Sequence, residues 1–292
     1  MKNINFSTVA VLIYQIQAKF STSKNNASNM SQVIWITGAS SGIGEALVYA
    51  FAKESDVHLI LSARRHEELE RVAKTCGLPQ ERLLILPLDL AAGDTLPQKA
   101  QQALAHFGKV DIMVHNGGVS QRALVKDTRL AVDRAIMETN FFGALILTKA
   151  LLPSMLARKS GKFVVISSSV GKFGTPLRST YAASKHALHG FFDSLRAECW
   201  RENIKVLIVC PGYIRTQVSV NAFIGTGEKQ GTMDEAQAKG IPPEVCAAKI
   251  LAAIRSDKEE INVAGAKEML GIYMKRFFPA LFSKMIRRMK VT

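Results

Sequence analysis

Cysteine is scarce in this 292-residue chain, and Cys76, Cys199, Cys210 and Cys246 include no Cys-x-x-Cys pair. Their scatter gives neither a disulfide framework nor a zinc site, and it suits a reducing, cytoplasmic setting. His186 and His189 lie three residues apart, but no third ligand completes a metal-binding spacing. They read as packing or surface residues, and no metal is expected. Proline is sparse at nine residues against 48% hydrophobic residues, a balance that argues against disorder and supplies a large core. An apolar run of bilayer length is missing near the N-terminus. Val9 to Tyr14 is too short to span, and Ser21 to Asn29 reads as a flexible linker rather than a cleavage region. Residues 1–31 are therefore expected to be an appended flexible extension, with Met30 a candidate start and a short anchor or targeting segment the alternative.

An excess of acidic residues is also absent: the net charge is +14, and it is uneven. Residues 267–292 hold Lys267, Lys275, Arg276, Lys284, Arg287, Arg288 and Lys290 against Glu268 alone. Phe277, Phe278, Leu281, Phe282, Met285 and Ile286 interleave with them. Such a basic amphipathic tail either lies on an anionic membrane or packs on the body or a partner subunit. No dedicated nucleic-acid motif accompanies the charge, so nucleic acid is not an expected partner.

What is present is a repeated alternation of short apolar runs and amphipathic stretches, the pattern of βα units around a parallel sheet. Strands are predicted at Val33–Thr37, Val57–Ser62, Leu83–Leu88, Val110–His115, Lys162–Ser167, Lys205–Cys210 and Glu260–Ala264. The first leads into Thr37-Gly38-Ala39-Ser40-Ser41-Gly42-Ile43-Gly44 and then an amphipathic helix. Glycines there admit positive φ and let a pyrophosphate approach the helix N-terminus, where free N–H groups and the dipole favour an anion. The spacing is neither Gly-x-Gly-x-x-Gly nor that of a P-loop. The turn, Asp89, Asn116, Ser168 and Pro211 all follow strand C-termini, the edge where such sheets bind ligands.

Tyr181 and Lys185 stand four residues apart, which on a helix puts both on one face. An ammonium beside a phenol favours the phenolate, the basis of a proton-transfer site. The pair alone proves little, and Ser168 thirteen residues upstream adds to it. With these motifs in place the chain resembles the short-chain dehydrogenase/reductase (SDR) family from Gln32 to Ala264. Thr37 to Gly44 matches its Thr-Gly-x-x-x-Gly-x-Gly, and Asn140, Ser168, Tyr181 and Lys185 match its tetrad in context. Pro211-Gly212-Tyr213-Ile214-Arg215-Thr216 resembles its Pro-Gly segment. One departure is that Asn-Asn-Ala-Gly appears as His115-Asn116-Gly117-Gly118, which leaves the adenine-side packing open. From Gly212 to Phe282 the chain is similar to a membrane-associated branch near the animal SDR proteins of the seven-B type.

The resemblance implies an α/β Rossmann-like doubly wound sheet of about seven parallel strands in residues 32–266, with the basic tail in 267–292. It implies hydride transfer between a nicotinamide and a carbonyl or secondary alcohol. Tyr181 would exchange the proton and Ser168 would steady the oxygen. Lys185 would lower the phenol pKa and bond the ribose, and Asn140 would hold a water. Gly38, Ser40, Ser41, Gly42, Ile43, Gly44, Asn116, Gly118, Pro211, Gly212, Ile214 and Thr216 would hold the cofactor, and Asp89 would meet the adenine unless it only caps the next helix. The second strand ends Leu61-Ser62-Ala63-Arg64-Arg65, without the acid of NAD enzymes. Arg64 is placed to meet a 2′-phosphate, which points to NADP(H), although both arginines would also fit as solvated helix-start charges. Thr216 to Gly240, with Val218, Val220, Phe223, Ile224 and Met233, reads as a mobile lid or as an ordinary surface excursion. The substrate expected is a hydrophobic, lipid-like carbonyl, in a homodimer or homotetramer that is cytoplasmic or peripheral to a membrane. An acyl-carrier-protein ketoreductase and a non-catalytic NADP(H) sensor are the alternatives.

Overall fold

The seven apolar runs form one parallel sheet, because each is flanked by a helix long enough to return the chain to the same edge. The structure, a computed structural model, describes residues 31–288. The expected extension up to residue 30, with Met30, and the last cation of the tail, Lys290, lie outside the described residues.

In chain order the elements are β1 (Gln32–Thr37), α1 (Gly42–Phe51), β2 (Val57–Ser62), α2 (His66–Cys76), β3 (Leu83–Ile85) and α3 (Leu96–Phe107). Then follow β4 (Ile112–His115), α4 (Leu130–Met137), α5 (Gly143–Arg158), β5 (Gly161–Ile166), α6 (Ser179–Glu198) and β6 (Ile204–Pro211). The chain continues through α7 (Glu235–Ala238), α8 (Pro243–Arg255), β7 (Glu260–Val263), α9 (Ala266–Phe277) and α10 (Pro279–Ile286). The strand order is β3-β2-β1-β4-β5-β6-β7, with every pairing parallel. The winding reverses between β1 and β4, and this switch point opens the crevice in which doubly wound sheets bind ligands.

Side chains alternate between the two faces of each strand, so each face gets its own core. Ile34, Ile36, Leu59, Leu61, Val164 and Val209 pack under α1, α2 and α8, against residues such as Leu47, Leu69 and Ile250. Val33, Trp35, Ile60, Phe163, Val165 and Ile208 pack on the other face against Leu96, Leu147, Leu151, Leu188 and Phe192 of α3, α5 and α6. Trp35 Nε1 donates to Ser62 Oγ at 2.8 Å, and that hydroxyl donates to Leu86 O at 2.6 Å, so the polar tips inside this core are bonded. The β3 strand is shorter than predicted. Leu86 and Leu88 still donate to β2, at Leu61 O and Ala63 O, but Pro87 between them has no N–H.

The helical stretch Leu130–Arg158 is long and apolar enough to cross a membrane by composition. Ile136, Leu147, Leu151 and Met155 are buried in the protein, so core packing accounts for that apolarity. A π-helical turn, Glu138–Phe142, interrupts it and carries Asn140. Extra residues of this kind inside an α-helix re-aim one side chain and recur at functional sites.

Candidate active site

The glycine turn is tied across the switch point by hydrogen bonds. Asn116 Nδ2 donates to Thr37 O at 3.0 Å and to Gly38 O at 3.1 Å. Thr37 Oγ1 accepts from the N–H groups of Asn116 and Gly117 at 3.1 and 3.2 Å and donates to Val114 O. Gly38, at φ 65°, lies in the left-handed region, and a Cβ there would fall 2.8 Å from Gly117 Cα. Gly44 answers a different need. A Cβ on it would meet Gly38 O at 2.2 Å, so its absence lets α1 start directly beneath the turn.

Gly38, Ser40, Ser41, Gly42 and Ile43 line a cleft of about 680 Å³, together with Asn116, Gly118, Pro211, Gly212, Ile214 and Thr216. Gly44 sits behind that wall. At the end of β2, Ala63, Arg64 and Arg65 line the same cleft. Both arginines are exposed, and neither has a salt-bridge partner among the described residues, whereas nearby Arg71 is paired with Glu45 and Glu68. Asp89 also lines the cleft, and its Oδ1 accepts the Ala91 N–H at 3.0 Å, shaping the turn after β3. The open cradle at the N-terminus of α1 and the unneutralised arginines at β2 fit a phosphorylated dinucleotide.

The departure at residues 115–118 has a packing reason. His115 is buried, stacks on Phe163 at 6.0 Å and shares a 2.8 Å hydrogen bond with Thr148 Oγ1. Burial pushes its pKa down to about 3, so it is neutral. Gly117 takes the position of the family's alanine, where a Cβ would lie 2.5 Å from Leu90 Cδ1.

The predicted tetrad comes from three elements: the π-helical turn, the end of β5 and α6. Tyr181 and Lys185 rise from one face of α6, with the Lys185 Nζ 5.8 Å from the phenol ring centroid. Lys185 Nζ donates to Ile166 O at 2.7 Å. Ser168 follows β5 and lies close enough to the Tyr181 phenol to lower its pKa, while its own Oγ accepts the Val170 N–H at 3.3 Å. Its neighbour Ser167 turns away, to Lys185 O at 3.3 Å and His189 Nε2 at 3.0 Å, which separates the roles of the consecutive serines. Asn140 does not reach the cleft wall. Its Oδ1 accepts the Val119 N–H at 2.8 Å, and its Nδ2 donates to Val119 O at 2.9 Å and Ser184 Oγ at 3.0 Å, so it fixes the loop after β4 against α6.

Burial dominates the electrostatics of the pair. Burial raises the Tyr181 pKa, and the Ser168 hydrogen bond and the charges of Arg178 and Arg122 pull it only part of the way back. Burial also brings Lys185 down to about 8, so at neutral pH it remains largely an ammonium beside the phenol. At neutral pH the phenol holds its proton and is set to donate it.

The sequence reading missed the residues that hold the substrate side. Gln121, fully buried, accepts the N–H groups of Thr180 and Tyr181 at 2.9 and 3.2 Å, and so caps the helix that carries the tyrosine. Arg122 donates through Nε and Nη2 to Asp234 Oδ2 at 2.8 and 2.5 Å, and Gln230 Nε2 donates to Asp234 Oδ1. Arg178 lies 3.6 Å from the same carboxylate and over the Tyr213 ring. Leu177 before it has φ 64°, a left-handed conformation that costs a branched side chain energy and marks a constrained approach to α6. Arg122 and Asp234 are 112 residues apart, and nothing local signals their meeting. Their contact straps residues 216–240 over the cleft. Within that segment Val218 and Phe223 face the cleft, while Met233 points outward, 37% exposed.

The family model for short chain dehydrogenase matches residues 32–225. The chain is 43% identical over 274 residues to a Drosophila melanogaster protein named dehydrogenase/reductase SDR family protein 7-like, covering 92% of this chain and 84% of the relative. It is 40% identical to dehydrogenase/reductase SDR family member 7B of Bos taurus, covering 87% of this chain and 80% of that one. Among solved structures it is similar to a metagenomic short-chain oxidoreductase in complex with NADP, at TM-score 0.66 and 26% identity, over 82% of this chain and all of the other.

Proposed function

Because this chain belongs to the short-chain dehydrogenase/reductase family, on the branch of the SDR 7 and 7B proteins, and is a nicotinamide-nucleotide-dependent oxidoreductase of that family, we propose that it is an NADP(H)-dependent carbonyl reductase. Its substrate is a ketone or aldehyde, or in reverse a secondary alcohol, on a hydrophobic, lipid-like molecule. The carrying observation is Tyr181 placed with Ser168 and Lys185 in the cleft that also holds the glycine turn and Arg64. Choice of NADP(H) rests on the two unneutralised arginines at the end of β2 and the lack of an acid there, and a structural relative solved with NADP supports it. The hydrophobic substrate rests on Val170, Phe173, Val218, Phe223, Phe282 and Ile286 in the cleft wall.

Bound nicotinamide supplies or accepts the hydride. Ser168 hydrogen-bonds the carbonyl oxygen and holds it beside the phenol. Tyr181 passes its proton to that oxygen as negative charge develops there, and burial, which keeps the phenol protonated, serves that direction. Lys185 binds the cofactor ribose beside the tyrosine. Thr216 and Ile214 orient the nicotinamide, and Asn140 keeps the loop after β4 in register with α6. Calorimetry with NADPH and NADH, followed by NADPH oxidation with aldehydes, ketones and lipid carbonyls, tests the proposal. NADPH-selective binding with turnover that Tyr181→Phe abolishes supports it. Failure to bind either nucleotide sinks it.

A further inference from the structure

The last two helices present two different faces. Inward, Ile272, Met274, Phe282 and Ile286 pack with Val170, Phe173 and Tyr181, and the Phe282 and Phe173 rings meet edge-on at 5.4 Å. Phe282, Met285 and Ile286 form part of the cleft wall. Outward, Leu270, Tyr273, Phe277, Phe278 and Leu281 are each more than half exposed. The first three lie at helical spacing along one stripe of α9, and α10 continues the patch. Around it stand Lys275, Arg276, Lys284, Arg287 and Arg288, all exposed and none in a salt bridge among the described residues.

We propose that the outer face of α9 and α10 docks on an anionic lipid bilayer and sets the mouth of the cleft against it. Aromatic and aliphatic side chains interleaved with uncompensated cations match a headgroup boundary, where the rings enter the acyl region and the cations meet lipid phosphates. A second copy of the chain fits the surface poorly. An isologous pairing would bring the same five cations face to face. An acidic protein would satisfy the cations but has no need of a stripe of exposed rings. Since the inner side chains of these helices wall the cleft, docking places a lipid-borne carbonyl at its entrance. That last step rests on the hydrophobic-carbonyl reading, whereas the docking itself does not.

The test is co-sedimentation of the full chain with phosphatidylcholine vesicles made with and without phosphatidylserine, alongside NADPH affinity. Two combined variants accompany it, Lys275→Glu/Arg276→Glu/Arg287→Glu and Phe277→Ser/Phe278→Ser/Leu281→Ser. The chain should partition onto the phosphatidylserine vesicles and come off with salt, and each variant should lower that partition about tenfold or more with NADPH affinity unchanged. Trp200→Ser, which alters an exposed ring elsewhere, should leave partition as it is. A chain that stays in the supernatant while binding NADPH overturns the proposal. So do variants that partition like the parent, which would assign membrane contact to another segment. A parent dimer that the variants dissociate, without vesicle binding, overturns it in favour of a second copy. Partition does not depend on turnover, so failure of the reductase reading would show separately, as lost NADPH binding.

Discussion

The two walls of the cleft are built in different ways. On the cofactor side, backbone atoms, glycines and a few polar side chains at strand ends form the surface, and each piece is encoded within a handful of neighbouring residues. On the substrate side, the wall is made by side chains such as Arg122, Phe173, Arg178, Val218, Phe223 and Phe282, drawn from distant parts of the chain, and the Arg122–Asp234 contact joins segments 112 residues apart. A wall that reads an invariant dinucleotide needs the same local backbone every time. A wall that reads one substrate is free to vary, and packing decides its shape. Tyr181 stands where the two meet, so it gives the sharpest test. Tyr181→Phe removes the proton donor but keeps the ring, and kcat should fall about a hundred- to ten-thousandfold. NADPH affinity, measured by calorimetry, should hold. If the affinity fell in step with turnover, the division into two walls would be wrong.

The strap on the substrate side comes next in size. Asp234 is held below the ordinary carboxylate range: burial pushes it up, but hydrogen bonds from Arg122 and Gln230 and the charges of Arg122 and Arg178 more than offset this. Asp234→Ala leaves the buried Arg122 guanidinium without its carboxylate, and breaking a buried pair in this way costs about 3 to 5 kcal/mol. Thermal melts and limited proteolysis should show the loss, with cleavage directed to residues 216–240. KM for a hydrophobic carbonyl should rise, while NADPH affinity changes little. Arg122→Met/Asp234→Leu should recover part of the stability, because the buried Arg122 guanidinium is removed together with its carboxylate.

A pH experiment examines the junction itself. In the unfolded chain Lys185 keeps its proton up to about 10.5, while in the folded protein burial lets it go at about 8. Below pH 8 both states are protonated, and the folded state carries the full cost of a buried ammonium. Between the two values unfolding takes up a proton, so stability rises with pH, by about 3 kcal/mol in all. Lys185→Met lacks this rise. Denaturant titrations of the two proteins should differ most below pH 8, in favour of the variant, and converge toward pH 10.5. Parallel curves would mean that Lys185 is not desolvated as its burial indicates.

Legibility in the sequence follows the same division. The strand runs, the glycine turn and the Tyr181–Lys185 pair were readable, since period-two and period-3.6 patterns and turn glycines are local signals. The end of β3 was overrun, because an apolar run continues through Pro87 although regular pairing does not. Gln121, Arg122, Arg178 and Asp234 gave no signal. A polar side chain in a loop looks the same whether it meets water or a carboxylate a hundred residues away. The tyrosine's electrostatics were not legible for a related reason: spacing places the ammonium near the phenol, but only the fold shows that burial raises the one pKa and lowers the other. The tail's sequence left membrane contact and packing on the body both open, and the structure packs one of its faces on the body while leaving the other exposed.

The smallest effect is expected on the cofactor wall, at the one place where it reads something other than the shared dinucleotide. Arg64 is exposed and carries no protein salt bridge among the described residues, so removing it disturbs no packing and strands no buried charge. Its loss should appear only with a ligand that carries a 2′-phosphate. A charge-assisted contact to that group is worth about 1.5 to 3 kcal/mol, so Arg64→Ser should weaken NADPH about ten- to hundredfold. NADH, which offers a hydroxyl there, should bind the variant and the parent alike. Calorimetry with both nucleotides on both proteins gives the coupling directly. If the two cofactors weaken together, Arg64 supports the wall rather than reading the phosphate, and Arg65 beside it in the cleft becomes the residue to replace.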